Sequence, residues 1–466
     1  MLSLELIDSG IVLAQRRAEA VSIVQEAPGM ALLENERTLT GVEAASRVRL
    51  KPLLAQTNYW RALSTSPLPR PSRLAQTPAD LAFAQAESML RPHKDGEGIL
   101  LAIPAGYSRE QLGLLLGVIN ETGVQVAGLV DAALAACSLE PAPARVLHLE
   151  LELHQALLTV LEYAGGDRPG LKRSRFEIAL QHGLLALQQT WMHFIAEHFV
   201  RKTRFDPLHE AANEQRLLDL LPGWLETLEH EERVVLSMSH AERTFEVELE
   251  REQFIAAAER HYAELQKLVQ GARVAGMPIE LRVSQRVARM PGLLDRFRTL
   301  RDCEVQVLDR GAAALGALQH EAAVRRPADA LALVYHLPVA AAATGEARPQ
   351  AFEPTPPPLR PTHVLFQGRA WRITEEPLHI GWSVAPGLRA LMLPTAAPGI
   401  SRSHCKLLRL NGAVLIEDHS TYGSYVNDER VAGRTTLTVG DRLRLGAPGV
   451  TLELIQLVND DGAPQD

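Results

Sequence analysis

One stretch, "PVAAAATGEARPQAFEPTPPPLRPT" at residues 338–362, sets the first constraint on what this chain can fold into. It is rich in Pro and Ala, has no helical or strand periodicity, and contains Pro356-Pro357-Pro358. Such a segment leans to polyproline II and presents no face to bury in a core. Fully extended, at ~3.1 Å per residue, it reaches ~70 Å. The expected organisation is a large unit over 1–337, a tether over 338–361, a second unit over 362–458 and an acidic tail over 459–466.

The 466 residues are 46% apolar and 22% charged, enough to build a core in each unit. The formal charge of −8 is spread without blocks of one sign, which argues against a general nucleic-acid binder. Cys137, Cys303 and Cys405 stand far apart with no CxxC, so neither a disulfide framework nor a zinc site is expected. The opening "MLSLELIDSG" has acids and no basic n-region, and no run of about 18 apolar residues occurs. A cytoplasmic protein with no membrane insertion and no bound metal is the expectation.

Short apolar runs after residue 362 ("HVLFQG", "LMLP", "CKLLRL", "AVLIED", "YVN", "RLRLG", "VTLELIQLV") alternate with Gly, Pro, Asn and Asp, which predicts an all-β sandwich. The N-terminal unit mixes periods, which predicts α/β layers without a short internal repeat. "SREQLGLLLGVINETG" at 108–123 reads as a helix that starts at Ser108 and stops at Gly123. Residues 252–269 read as one helix with Phe254, Ala258, Tyr262, Leu265 and Val269 on one face. In "RVLHLELELHQ", strand alternation puts His148, Glu150, Glu152 and His154 on one face. Neighbours there stand about 6.5–7 Å apart, too far for four ligands on one ion, so a solvated polar face is expected.

Four motifs, "HIGW" at 379–382, "SRSH" at 401–404, "DHSTYGSYVN" at 418–427 and "LTVGDRLRLG" at 437–446, make residues 362–458 resemble a forkhead-associated (FHA) domain. The resemblance implies a β-sandwich whose loops grip phosphothreonine peptides. Ser401 falls on the family's phosphate-binding serine, with Arg402 as a cation beside it. His404 falls on the histidine that braces the loop, Thr421 on the phosphate-lining loop, and Gly381 and Gly423 on turn glycines with unusual backbone angles. Asn427 closes the third motif and joins the expected partner-binding set. Two positions depart from the family: Trp382 stands for an arginine that helps hold phosphate, and Tyr422 for an asparagine that holds the peptide backbone. Docking without phosphate and altered phosphopeptide reading both fit these changes. Exposed Trp382 and Tyr422 would serve as interface anchors.

Residues 1 to about 325 resemble the actin/DnaK-type chaperone superfamily, through "LELIDSGIVLA" (4–14), residues 100–136, "HFIAEHFVRKTRFDP" (193–207), "LRVSQRVARMPGL" (281–293) and "LDRGAAALGAL" (308–318). The resemblance implies two α/β lobes around a cleft for ATP and Mg²⁺. The first phosphate loop keeps Asp8 and Gly10 but has Ile11 and Val12 for threonines. The second has no glycine, and Glu150 and Glu152 would oppose phosphate; a like-charge contact at ~4 Å costs about 4 kcal/mol at an effective dielectric near 20. The adenosine loop has Gln285 and Arg286 in place of paired glycines. A pseudo-ATPase without cofactor is the reading. Joined to the FHA module, it gives a non-catalytic cytoplasmic adaptor for protein partners, a phosphothreonine protein or an active relative of the actin/chaperone class among them. A phosphothreonine-dependent adaptor and an active nucleotide-dependent chaperone or actin-like protein remain the alternatives.

Overall fold

The computed structural model describes all residues except 19, 35, 95, 166–168, 274–276, 328–329, 341–360, 367–368, 386, 395–398, 411–412, 427–428, 432, 438–440, 447–448 and 456–466. The acidic tail, Asn427 and most of the tether thus lie outside the described residues. The chain divides into two compact units, Met1–Leu268 with Ile279–Thr344, and Val269–Pro278 with Gly345–Asp466.

Unit 1 is built on two sheets. The first holds β1 (Leu2–Glu5), β2 (Ile11–Arg17), β3 (Ala20–Ala27), β4 (Ile99–Ile103) and β5 (Val126–Asp131) in the order β3-β2-β1-β4-β5. The second holds β6 (Arg145–Leu151), β7 (Gln155–Ala164), β8 (Gly170–Leu180), β9 (Ile279–Val283) and β10 (Cys303–Val307) in the order β8-β7-β6-β9-β10. In each sheet the first three strands run antiparallel, and the first, fourth and fifth run parallel. The two sheets therefore repeat one topology, a repeat carried by strand order and invisible to a search for short self-similar sequence. Leu333–Val334 extends the first sheet beside β5, and His336–Leu337 extends the second beside β8.

The central strands are buried on both faces, as expected where parallel pairing puts layers on each side. All seven residues of β6 are buried, His148 and Glu150 included. This overturns the solvated face: the alternation is real, but both of its faces are covered. The strand also ends at Leu151, so Glu152 and His154 belong to the turn before β7. His154 there meets the Thr57 hydroxyl at 3.0 Å.

Two alanine-rich helices, Ala132–Cys137 and Ala312–Gln319, cross at very close range. A Cβ on Gly316 would fall 1.9 Å from the Ala135 carbonyl oxygen, so only glycine fits there. The helix Arg109–Glu121 starts from a capping box between Ser108 and Gln111, and Gly123 follows at φ +86. The single helix expected over 252–269 is two, Arg251–Ala257 and Glu259–Ala272. Ala258 between them relaxes to ψ 0. The five apolar residues are buried in both pieces because so short a break leaves their stripe in phase.

Unit 2 is a β-sandwich. One sheet runs Ala390–Met392, Leu378–Gly381, Cys405–Leu410, Ala413–Asp418, Arg434–Leu437. The other runs Arg369–Arg372, His363–Phe366, Val450–Ile455, Arg442–Leu445, Ser424–Val426, Glu429–Arg430. Val364, Ile380, Leu407, Ile416, Leu443 and Leu452 lie among the residues of the shared core. Arg369–Arg372, Leu378–Gly381 and Arg434–Leu437 are not among the expected strands: the first and last are too polar to give an apolar signal, and the second is a run of only four residues. Among the described residues, no helix is long and apolar enough to cross a membrane.

Candidate functional site

In unit 2 the loops at 381–383, 399–404 and 418–424 meet. Ser401 is partly exposed, Arg402, Thr421 and Tyr422 are exposed, and His404 is buried. The Thr421 amide donates to Ser401 Oγ at 3.1 Å, joining two of the loops. His404 joins them again from beneath. Its Nδ1 accepts from the Ser401 amide at 3.0 Å, and its Nε2 lies 3.1 Å from the Gly423 carbonyl. The first contact needs a lone pair and the second a proton, so the ring is neutral with its hydrogen on Nε2. Burial likewise holds its pKa below the ordinary histidine value.

Two expectations about this loop set change. Gly381 is not at positive φ; it ends a strand, and a Cβ there would lie 2.0 Å from the Arg402 carbonyl oxygen. Its role is close approach, whereas Gly423 does adopt a left-handed angle, φ +82. Trp382 is not a free aromatic anchor: it is partly buried against the sandwich core, and the Arg402 guanidinium carbon stands 5.9 Å from its ring centre. Tyr422, at 55% exposure, does face solvent.

A brace that motif reading passed over sits below the loop. Asp418 Oδ1 accepts from the hydroxyls of Ser420 and Ser424, both at 2.8 Å, and from the Ser420 amide at 3.2 Å. Ser420 Oγ in turn accepts from the Gly423 amide at 2.7 Å. The signal was an Asp with serines two and six residues on, a spacing suited to an Asx turn.

The second candidate lies in unit 1, between the β1–β2 turn and the β6–β7 turn. The Leu153 amide donates to Asp8 Oδ1 at 2.7 Å, and the Ser9 hydroxyl donates to the Leu151 carbonyl. The two turns thus bond to each other directly. Asp8 and Glu152 are both buried here; desolvation pushes Asp8 up to about 6 and Glu152 up to about 8. Gln155 donates to Glu152 from across the turn. Ile11 and Val12 are buried inside β2.

Beside these turns, Arg286 packs between the two sheets. Its Nη2 lies 3.0 Å from Glu5 Oε1 and also donates to the Gly10 carbonyl, while Nη1 lies 3.2 Å from Glu150 Oε2. Glu26 is 3.9 Å away. Burial disfavours the charge, but Glu150, Glu5 and Glu26 outweigh it and raise the pKa. Glu150 is therefore a partnered carboxylate, and the bare like-charge repulsion inferred from sequence does not describe it. Gln285 lines the same space with Ser284, Arg289 and His148. The cavity beside Arg286 is about 50 Å³. At roughly 10–15 Å³ per water that holds a few waters; a second space of about 460 Å³, lined by Ser9, Gly10, Glu26, Leu153 and Arg310 among others, opens at the same two turns and lies within the ~300–1,000 Å³ of ligand pockets. Glu5, Glu26 and Ser284 were missed because their partners are distant in sequence.

The FHA domain family model matches residues 389–446, which hold Ser401, Arg402, His404, Thr421, Tyr422 and Gly423. The chain carries an FHA domain there, a type of module that binds phosphopeptides in protein interaction. No curated protein matches the chain.

Proposed function

We propose that this chain is a non-catalytic adaptor in which a pseudo-ATPase body of actin/chaperone type is tethered to an FHA docking module. The direct bonding of the β1–β2 turn to the β6–β7 turn carries this reading. In the superfamily that unit 1 resembles, those turns are the two phosphate loops, and nucleotide phosphates need backbone N–H groups free on both. Here the Leu153 amide is spent on Asp8, and Arg286 occupies the space alongside. The repeated strand order of the two sheets supports the actin/chaperone assignment. Calorimetry with ATP and Mg²⁺ tests it: no heat of binding is expected at micromolar to millimolar nucleotide, and micromolar affinity would refute it.

A second reading concerns the partner. The Ser401 hydroxyl, set in place by the Thr421 amide, and the exposed Arg402 guanidinium form a donor set suited to a phosphothreonine dianion. Arg402 would supply the charge that Trp382 does not, with the indole as its platform. Phosphothreonine and unphosphorylated peptide libraries, applied to the full chain and to Ser401→Ala and Arg402→Ala variants, separate phosphate-dependent docking from docking without phosphate.

A further inference from the structure

We propose that Arg286 is the resident cation of the unit 1 cleft and holds its two sheets closed. The proposal rests on the pseudo-ATPase reading for the identity of the cleft, and adds how the closed state is kept.

Arg286 follows β9 and so belongs to the second sheet's side. Its Nη2 reaches across to Glu5, at the end of β1, and to the Gly10 carbonyl in the β1–β2 turn, both in the first sheet. Its Nη1 holds Glu150 on β6, in the second. Both carboxylates are otherwise engaged on their far oxygens. Glu5 Oε2 accepts from the Ala313 and Ala314 amides at 3.2 and 3.4 Å, at the start of the helix Ala312–Gln319. Glu150 Oε1 accepts from the Ser284 hydroxyl at 2.6 Å. The near oxygens converge on the guanidinium. Its planar fork can serve two carboxylates and a carbonyl at once, which a lysine ammonium cannot do with the same geometry. Arg310 pairs with Glu26 on β3.

Two consequences follow. With Arg286 in place the sheets need no ligand to hold them together. Without it, Glu5, Glu150 and Glu26 leave an oxygen-rich space with uncompensated negative charge, the chemistry that attracts a hard divalent cation.

The test uses the full chain without nucleotide, as wild type, Arg286→Gln, Arg286→Lys and Glu150→Gln. Melting is measured with and without millimolar Ca²⁺ or Mg²⁺, and hydrogen exchange is followed over residues 5–11, 149–153 and 284–288. Arg286→Gln should lose about 5 °C or more in Tm, regain part of it with divalent cation, and exchange faster in all three segments. Wild type should ignore the cation, and Arg286→Lys should lie between. If Arg286→Gln fails to fold, Glu150→Gln keeps the arginine while weakening its tie to the second sheet, and should speed exchange at residues 5–11. Wild-type melting and exchange in Arg286→Gln, or no change at residues 5–11 in Glu150→Gln, would overturn the lock. Destabilisation with no response to divalent cation would overturn the resident-cation role. Nucleotide binding by wild type bears on the pseudo-ATPase reading alone.

Discussion

The polar groups of the unit 1 cleft and those of the FHA loops are arranged with opposite physical consequences. In the cleft, the groups that remain turn inward. Asp8 accepts from Leu153, and Glu5 and Glu150 share Arg286. In the FHA loops, the donors stay at the surface: Arg402 is exposed on the Trp382 ring, and Ser401 is partly open. A changed motif therefore does not by itself report a dead site. What decides is whether the surviving polar groups have found partners within the protein.

The largest effect expected from this contrast comes from paired glycine substitutions. Gly381→Ala puts a methyl 2.0 Å from the Arg402 backbone oxygen, which cannot move without displacing the loop that carries Ser401. A loss of about 3 kcal/mol in FHA stability is expected, read as an earlier melt of unit 2, together with loss of any loop-dependent partner. Gly10→Ala instead meets side-chain ends only, Glu26 Oε1 at 2.6 Å and the Arg286 guanidinium at 3.2 and 3.3 Å. It should cost less than Gly381→Ala, because side chains shift more readily than backbone. Equal costs would remove the distinction between a rigid outer loop and a side-chain-filled cleft. Next comes Asp418→Ala, which strands the hydroxyls of Ser420 and Ser424. It should cost about 2 kcal/mol and speed exchange of the Gly423 amide while leaving unit 1 unchanged.

Much of this was legible in the chain, for reasons that differ by site. The FHA loops announce themselves because Ser401, Arg402, His404, Thr421 and Gly423 lie in short local motifs. The Ser108 helix start is local too. Arg286 could be seen only as a misplaced side chain. Its contacts with Glu5 and Gly10 span 281 and 276 residues, and no local pattern encodes them. Glu152 and His154 were assigned to a strand because alternation runs on past Leu151, while the hairpin's end is set by where β7 turns back onto β6. The repeated sheet topology was hidden because strand order is a property of pairing.

The two regions should also respond oppositely to pH. Glu152, pushed up by burial from 4.5 to about 8, binds its proton more tightly in the folded state. Its contribution is present below its unfolded value and is lost as pH rises through about 8. Asp8, raised to about 6, has the same sign. His148, lowered by burial to about 3, opposes them only below the ordinary histidine value of about 6.5. Unit 1 should therefore weaken as pH rises towards about 8, with Glu152 unopposed by His148 above about 6.5. His404 is lowered, so its contribution is full above about 6.5 and is lost as pH falls towards its folded value. Protonated Nδ1 can no longer accept from the Ser401 amide. Hydrogen exchange resolved by unit should show unit 1 loosening on the alkaline side and the 399–404 loop on the acid side. The same sign in both would break the comparison.

The smallest expected change in stability is the sharpest test of the open site. Ser401 Oγ accepts one hydrogen bond, from the exposed Thr421, so Ser401→Ala should cost under about 1 kcal/mol. The His404 brace acts through the Ser401 amide and survives the substitution. Arg402→Ala should cost about as little, since an exposed cation over a ring contributes about 0.5–1 kcal/mol. Both variants should therefore stay folded while their effects on a phosphothreonine peptide are large, about tenfold or more each, because charge-assisted donors to a dianion are lost. An unphosphorylated partner should tell the two variants apart from wild type far less. If both bind every peptide as wild type does, Ser401 and Arg402 are surface residues of a module that docks by shape. The outward-facing donors would then be as unused as those of the cleft are spent.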